Sequence, residues 1–319
     1  MFNRKMKMGF LSFVVFSLLL ATVMTANAKE LSMGTGGTAG TFFPLGGAIA
    51  NTINKHSKGI NVTVQTTDGS VNNAHLLGKG DIDVALIQTD ITYYAYNGME
   101  MFKNKYPNLT AICRVYPDTT HIIAKGDGSI KSISDLKGRS VSVGAPGSGN
   151  EVTLRQILGT AGITYKDLKP FYLSFSESSE HFKDGHIDAF HTNSSVPAAI
   201  VHDLNSLNRV TLLPVGGKLR EDIVKEYPFY TPVTVPANTY KYQTAPYETV
   251  AVQALLIVDS KLPEDIVYGM TKALFENLDE VKTAHSAAKG MSLKTALDGV
   301  AIPLHPGAKR YFMEKGVLK

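Results

Sequence analysis

The chain has 319 residues, 44% of them hydrophobic and 19% charged, a balance that excludes both a disordered tail and a multispan membrane protein. Its 32 basic and 28 acidic side chains give a net charge of +4; setting aside Arg4, Lys5 and Lys7 leaves +1, too little to draw nucleic acid. One cysteine and no tryptophan exclude a disulfide framework and a cysteine-rich zinc site.

In chain order, the N-terminus reads as a basic patch, an apolar run from Phe10 to Val23, and Ala26-Asn27-Ala28. These are the three parts of a secretory signal peptide. The run falls short of the ~20 residues that span a bilayer. Residues 1–28 are therefore expected to be removed after Ala28, leaving a soluble protein in a Gram-negative periplasm. Cys113, within the strand LTAICRVY (109–116), is expected to be a buried, inert thiol.

The remaining chain opens with a strand, LSMGT (31–35), running into the glycine loop GTGGTAGTFFPLGG (34–47) and a helix with Ala48, Ile49 and Ile53 on one face. INVTVQT (60–66) is a second strand, and TDGS (67–70) a polar turn. A helix through Asn72–Leu77 stops at Gly78, and KGDIDVALIQTD (79–90) supplies a third strand. The same order then returns. LKGRSVSVG (136–144) is a strand, APGSGNEVTLRQIL (145–158) a glycine loop entering a helix, and LKPFYLSF (168–175) another strand. SESSEHFKDG (176–185) is a short helix and HIDAFHTN (186–193) the closing strand. Gly80-Asp-Ile-Asp83 and Gly185-His-Ile-Asp188 open the two closing strands.

Such a repeat implies an α/β protein of two lobes, with mainly parallel strands and the glycine loops at their carboxyl ends. Facing lobes leave a cleft for a small molecule. YPFYTPVTVPANTY (227–240) reads as a stiff extended linker, and VAVQALLIVD (250–259) as a strand buried on both faces. Pro263 opens a helix with a core stripe of Ile266, Val267, Met270, Leu274 and Leu278. Crossings near 117–125 and 228–250 make a hinge. Lobe I is then 29–120 with the return segment 250–319, and lobe II is 121–249.

GTGGTAG (34–40) formally fits a dinucleotide fingerprint, yet no acidic residue stands ~20 positions on, and no Walker-type loop occurs. GAPGSGNE (144–151) is more informative. Its glycines allow close backbone approach, Ser148 or Asn150 caps the helix, and free N–H groups at the positive dipole end form an anion site without arginine. The candidate ligand-binding set draws Thr38, Ala39, Gly40, Thr41 and Phe42 from the first loop. Ser70, Asn72 and Asn73 come from the second turn, Gln88 and Asp90 from the end of the third strand. Ser148, Gly149 and Asn150 come from the second glycine loop, and Asn193, between Thr192 and Ser194, from its closing strand. Each also fits a cap or a solvated turn residue.

Catalysis has little to stand on. A G-x-S-x-G elbow is absent, no carboxylate pair stands out, and His181, His186 and His191 are spaced by five. That spacing suits neither a helix face nor a strand face, so they read as surface and turn histidines rather than metal ligands. Arg114 is the best candidate for a charged cleft residue, with a structural ion pair as the alternative, and His121 flanks the same crossing. No cofactor or metal is expected.

The blocks GTGGTAGTFFPLGG, TDGSVNN, GDIDVALIQTD, RVYPDTTHIIAK (114–125), LKGRSVSVGAPGSGNE, YPFYTP and HPGAKRYFMEKG (305–316) resemble the TAXI family of TRAP transporter solute-binding proteins. The resemblance covers essentially all of residues 30–319. It implies a two-lobed periplasmic binding protein of type II topology that closes on its ligand. It also implies delivery of a small organic anion, glutamate-like or a dicarboxylate or keto acid, to a TRAP membrane permease driven by an ion gradient, usually sodium. A monomer is expected. Many members have tyrosines where Phe42 and Phe43 stand, and Asn150 replaces the usual Thr after Gly-Ser-Gly. Asn193 falls where related amino-acid binders place an Asp for the ligand's ammonium; an uncharged Asn there offers no counter-charge to an α-amino group and leaves a plain dicarboxylate or keto acid open. The alternatives are a binding protein of the same fold serving an ATP-driven importer for a sulfonate or vitamin precursor, and an exported α/β enzyme.

Overall fold

The computed structural model describes residues 28–207 and 209–318; the leader lies outside these, apart from Ala28. The first glycine-punctuated unit folds as β1 (Lys29–Gly34), α1 (Phe42–His56), β2 (Ile60–Gln65), α2 (Ser70–Lys79) and β3 (Val84–Gln88). α3 (Thr89–Asn97) and the long β4 (Leu109–Lys125) follow. The second unit is β5 (Ser140–Ser142), α4 (Gly149–Thr160), β6 (Lys169–Phe171), α5 (Phe175–Lys183) and β7 (Ala189–Ser194). Then come α6 (Ala199–Leu207), β8 (Val210–Leu212), α7 (Gly217–Glu226), β9 (Thr231–Val235) and β10 (Tyr247–Asp259). α8 (Glu264–Glu276), α9 (Leu278–Ala284) and α10 (Pro306–Glu314) close the chain. Among the described residues, no helix is long and apolar enough to cross a membrane.

The strands form one sheet in the order β2-β1-β3-β10-β4-β7-β5-β6, with β8 on β4 and β9 on β10. Within it the repeat is explicit: β1 lies parallel between β2 and β3, and β5 lies parallel between β6 and β7. The two matched aspartates do the same work. Asp83 accepts from the Ser32 N–H at 2.9 Å and its hydroxyl at 3.1 Å, and Asp188 accepts from the Ser140 N–H at 3.0 Å. Each ties the third strand of its unit to the first.

Two expectations need correction. β4 does not end near Tyr116 but runs on to Lys125, 17 residues in all, because β10 pairs with it from Leu109↔Asp259 to Thr119↔Ala251 and β7 and β8 pair with the rest. The segment 227–240 is not simply a linker: β9 folds back on β10, from Thr231↔Ala251 to Val235↔Tyr247. An edge strand tolerates Pro232, which lacks an N–H to donate.

The cores change over along this central pair. Ala254, Leu256 and Val258 of β10 enter a core with α1 and α8, while Leu255 and Ile257 enter another with α2 and α3 on the opposite face. Further along, Val250 and Val252 join Ile122 and Ala124 in a core under α4 and α7, and Ile123 faces a fourth with Phe182 and Phe190. Strict period-two alternation with both faces apolar makes this a two-sided central strand. Cys113 is fully buried there, and burial pushes its thiol up to about 12, so it is inert as expected.

Replacing Asp83 or Asp188 by alanine strands an N–H of the first strand in each unit. Either change is expected to cost roughly 1–3 kcal/mol, read as a lowered urea midpoint at unchanged slope.

Candidate functional site

Because both parallel units send the carboxyl ends of their strands into one crevice, their strand-to-helix turns meet there. The resulting pocket encloses about 740 Å³ including its mouth. The amino ends of α1 (Gly40 to Phe42), α2 (Gly69, Ser70), α4 (Ser148 to Asn150) and α5 (Ser174, Phe175) all line it. First-turn N–H groups have no acceptor inside their own helix and carry the positive end of the dipole. Among the described residues lining the pocket there is no Lys or Arg, while two aspartates, Asp68 and Asp118, are present, so the partial charge on backbone N–H groups is what the pocket offers an anion.

The two halves approach closely. The Asn72 N–H donates to the Gly147 carbonyl at 3.0 Å, and the Ser195 N–H to the Thr41 hydroxyl at 3.4 Å. Gly69 sits at φ +103° with its missing Cβ directed at Ser148, 3.6 Å from the Cα, a conformation that favours glycine. A Cβ on Gly149 would overlap the Gln88 side chain. On the other rim, Phe175 lies against Gly40, where a Cβ would stand 3.6 Å from its ring.

Beneath the helix ends lies a buried acidic centre. Asp118 of β4, 3% exposed, accepts from the Tyr116 hydroxyl and from Gln88 Nε2, each at 2.9 Å. Burial raises its carboxyl to about 6, against the pull of those two donors. Asp90 is fully buried, and neither carboxylate oxygen has a hydrogen-bond partner. Burial lifts it to about 7, the charge of Asp118 adding to the rise and the N–H groups of Ile91 and Asp90 opposing it. His191 is buried among the pocket walls and held neutral, down to about 3, by burial and then by nearby His121. Asn193 and the Asn150 backbone lie close to its ring, yet neither ring nitrogen meets a partner in hydrogen-bond geometry.

Of the sequence candidates, Gly40, Thr41, Phe42, Ser70, Gln88, Ser148, Gly149, Asn150 and Asn193 reach the pocket. Thr38 and Ala39 are exposed on the turn outside it. Asn72 contributes its backbone to the contact between halves, and Asn73 is a strut, donating to the Thr35 and Leu86 carbonyls. Asp90 lies below the pocket rather than in its wall. Some pocket residues are already engaged. Ser148 donates to the Ala145 carbonyl at 2.7 Å and accepts the capping bond from the Glu151 N–H at 3.2 Å, so its hydroxyl proton is spent on Ala145. Asn193 is held by Thr120, Thr153 and Asn150.

Arg114 is not a cleft residue: it donates to Gln253 at 2.7 Å and faces Asp298 at 3.8 Å. His121 is likewise structural, between the Thr119 carbonyl and the Tyr240 hydroxyl. The three histidines do not share one role. His186 is exposed and His181 half-buried, while His191 points into the pocket. Sequence reasoning missed Tyr116, Asp118, His191 and Phe175. The available signal was alternation: 116 and 118 share a face of β4, and 191 and 193 a face of β7.

Residues 33–316 match the model of the NMT1-like family. The chain belongs to the NMT1-like family. Three solved structures share its fold. The alkanesulfonate-binding protein SsuA from Xanthomonas axonopodis pv. citri bound to MOPS is 15% identical, with a TM-score of 0.51 over 90% of this chain and 84% of that one. A putative L-cystine ABC transporter from Listeria monocytogenes is 16% identical, with a TM-score of 0.52 over 82% of this chain and 97% of that one. A protein of Bordetella bronchiseptica RB50 is 15% identical, with a TM-score of 0.53 over 89% and 82%. The NMT1-like chain therefore has the two-lobed α/β fold of periplasmic binding proteins. Neither the family match nor these structures supports the TAXI resemblance of its motif blocks.

Two predictions follow from this geometry. Gly149→Ala is expected to obstruct approach of α4 to Gln88, giving a larger radius of gyration in solution scattering at nearly unchanged melting temperature. Ser148→Ala instead loses a cap, costing about 1 kcal/mol of stability with the radius unchanged. The second concerns pH. Asp90 has a folded pKa above its unfolded value, so its contribution is full below pH ~4 and lost as pH rises through about 7. His121 and His191, depressed to about 4 and 3, and His75, His285 and His305, also lowered by burial, withdraw stability as pH falls through their unfolded value near 6.5. The two sets therefore oppose each other between pH 8 and 6.5. A variant isolates the carboxyl: Asp90→Asn is expected to melt higher than the wild type at pH 8, and the gap between the two to narrow as pH falls through about 7.

Proposed function

We propose that this NMT1-like protein is the solute-binding subunit of a membrane importer. It is exported through the leader ending at Ala28 and captures a small organic anion between lobe I (29–120 with 250–319) and lobe II (121–249). The observation that carries this reading is the convergence of four helix amino ends, two from each half, on one pocket. A carboxylate or sulfonate held there replaces its hydration with fixed N–H donors. Since no arginine or lysine clamps it, release needs only that the halves part.

The hinge in this reading lies in β4 and β10, between Tyr116 and Ile122 on one strand and Val252 and Ala254 on the other, where one pair of cores gives way to the next. The partner favoured by the structural neighbours is an ATP-driven permease, since two of them are an alkanesulfonate-binding protein and a putative L-cystine ABC transporter. The TRAP permease is the second reading and rests on the motif blocks at 34–47, 114–125 and 136–151. In neither reading is the protein an enzyme.

Isothermal titration with panels of alkanesulfonates, amino acids and dicarboxylates is expected to find at least one ligand at micromolar affinity or better. Solution scattering with that ligand at saturation is expected to show compaction. A protein that binds none of these classes, or binds without compaction, defeats the proposal. The transporter type is decided by which membrane subunits co-purify with the protein from crosslinked cells.

A further inference from the structure

Asp118 stands out because the pocket gives it no cation. A carboxylate 3% exposed is costly to hold charged unless something positive meets it, and its protein partners, Tyr116 and Gln88, are both neutral. Each of its oxygens takes one hydrogen bond there and retains a free lone pair. Gln88, 2% exposed, turns its amide nitrogen to Asp118 and its oxygen towards Gly149. That oxygen has no hydrogen-bond partner. One amide group therefore separates the buried carboxylate from the amino end of α4, with an unsatisfied acceptor between them.

The geometry points to a zwitterionic ligand, a primary ammonium beside a carboxylate or sulfonate, with Asp118 and Gln88 Oε1 receiving the ammonium and the helix amino ends the acid. This deepens the proposed capture of an organic anion and depends on it. An ammonium carries three N–H donors and no acceptor, which suits a carboxylate and an amide oxygen that both keep lone pairs open. Its charge neutralises Asp118 inside the closed site, where the attraction is least screened. A dicarboxylate does the reverse. It adds a second negative charge next to Asp118, and His191, neutral at ordinary pH, offers no compensation. The ammonium partner that Asn193 fails to provide at the end of β7 is thus supplied from β4.

The test compares molecules that differ only in the amine: L-glutamate with glutarate, L-norvaline with valerate, and taurine with ethanesulfonate. Each is titrated into the full mature chain and into Asp118→Asn, with thermal melts confirming the fold. The amine-bearing member of a pair is expected to bind the wild type more tightly, and Asp118→Asn to weaken it by roughly ten- to a hundredfold. The amine-free member is expected to bind the variant as well as or better than the wild type. Equal or tighter wild-type binding of the amine-free member overturns the inference and leaves the capture of organic anions standing, and this comparison holds even if the variant does not fold. An unchanged affinity of a folded variant for the amine-bearing member overturns it too. Failure of all six compounds, together with an amine-free acid recovered from the purified protein by mass spectrometry, overturns the zwitterion alone. Failure of all six with no small acid recovered overturns both readings.

Discussion

β4 and β10 run antiparallel through the middle of the sheet, and every core in the molecule takes side chains from at least one of them. On β10, fully buried apolar side chains alternate between the two faces from Ala254 to Val258. At about 1.5–3 kcal/mol for each large apolar side chain taken out of water, this pairing anchors both lobes to one spine. The pocket depends on it directly. Tyr116 and Asp118 belong to the stretch of β4 that passes from one pair of cores to the other, so the acidic centre lies on the central strand rather than on a loop.

Opposite signs of potential meet across this pocket. Four helix amino ends supply diffuse positive potential from fixed N–H groups, while Asp118 and, below it, Asp90 supply buried carboxylates. Neither has an ion pair among the described residues. Asp118 is softened by two neutral donors, one of which, Tyr116, is itself braced edge-on by Phe42 at 6.3 Å between ring centroids. Phe42 thus serves the site through packing against Tyr116.

The repeat was legible because its signals are local. Glycine loops, the paired Gly-x-Ile-Asp motifs and strand alternation specify each unit by short-range rules, and the observed β2-β1-β3 and β6-β5-β7 arrangements follow from them. The length of β4 was not legible. Pro117 interrupts the apolar run, and only pairing with β10, more than a hundred residues away, carries the strand through it. Site residues divide along the same line. Those on loops at helix starts, such as Gly149 and Ser70, announce themselves by residue type. Asp118 and His191 are ordinary strand residues until topology turns their faces into a cleft, and the even spacing of three histidines hid the one that alternates with Asn193.

Residue type also overstated what some loop positions do. Ser148 fits both a cap and a ligand donor, and geometry assigns its single proton to the Ala145 carbonyl. What remains at that turn is backbone, together with the absence of a Cβ at Gly149. The halves meet through contacts that are individually weak: Asn72 to Gly147, Thr41 to Ser195, Gln156 to Tyr94 at 3.2 Å, and Phe229 against Tyr93 at 5.0 Å. A net hydrogen bond is worth about 0.5–1.5 kcal/mol, and an aromatic pair adds about as much beyond its buried area. Their sum is a few kcal/mol, the same size as the ~5.5 kcal/mol that carries a two-state equilibrium from one per cent closed to one per cent open. In the proposed closure, contacts of that size would keep a closed form within reach without fixing it, which leaves the deciding increment to the ligand.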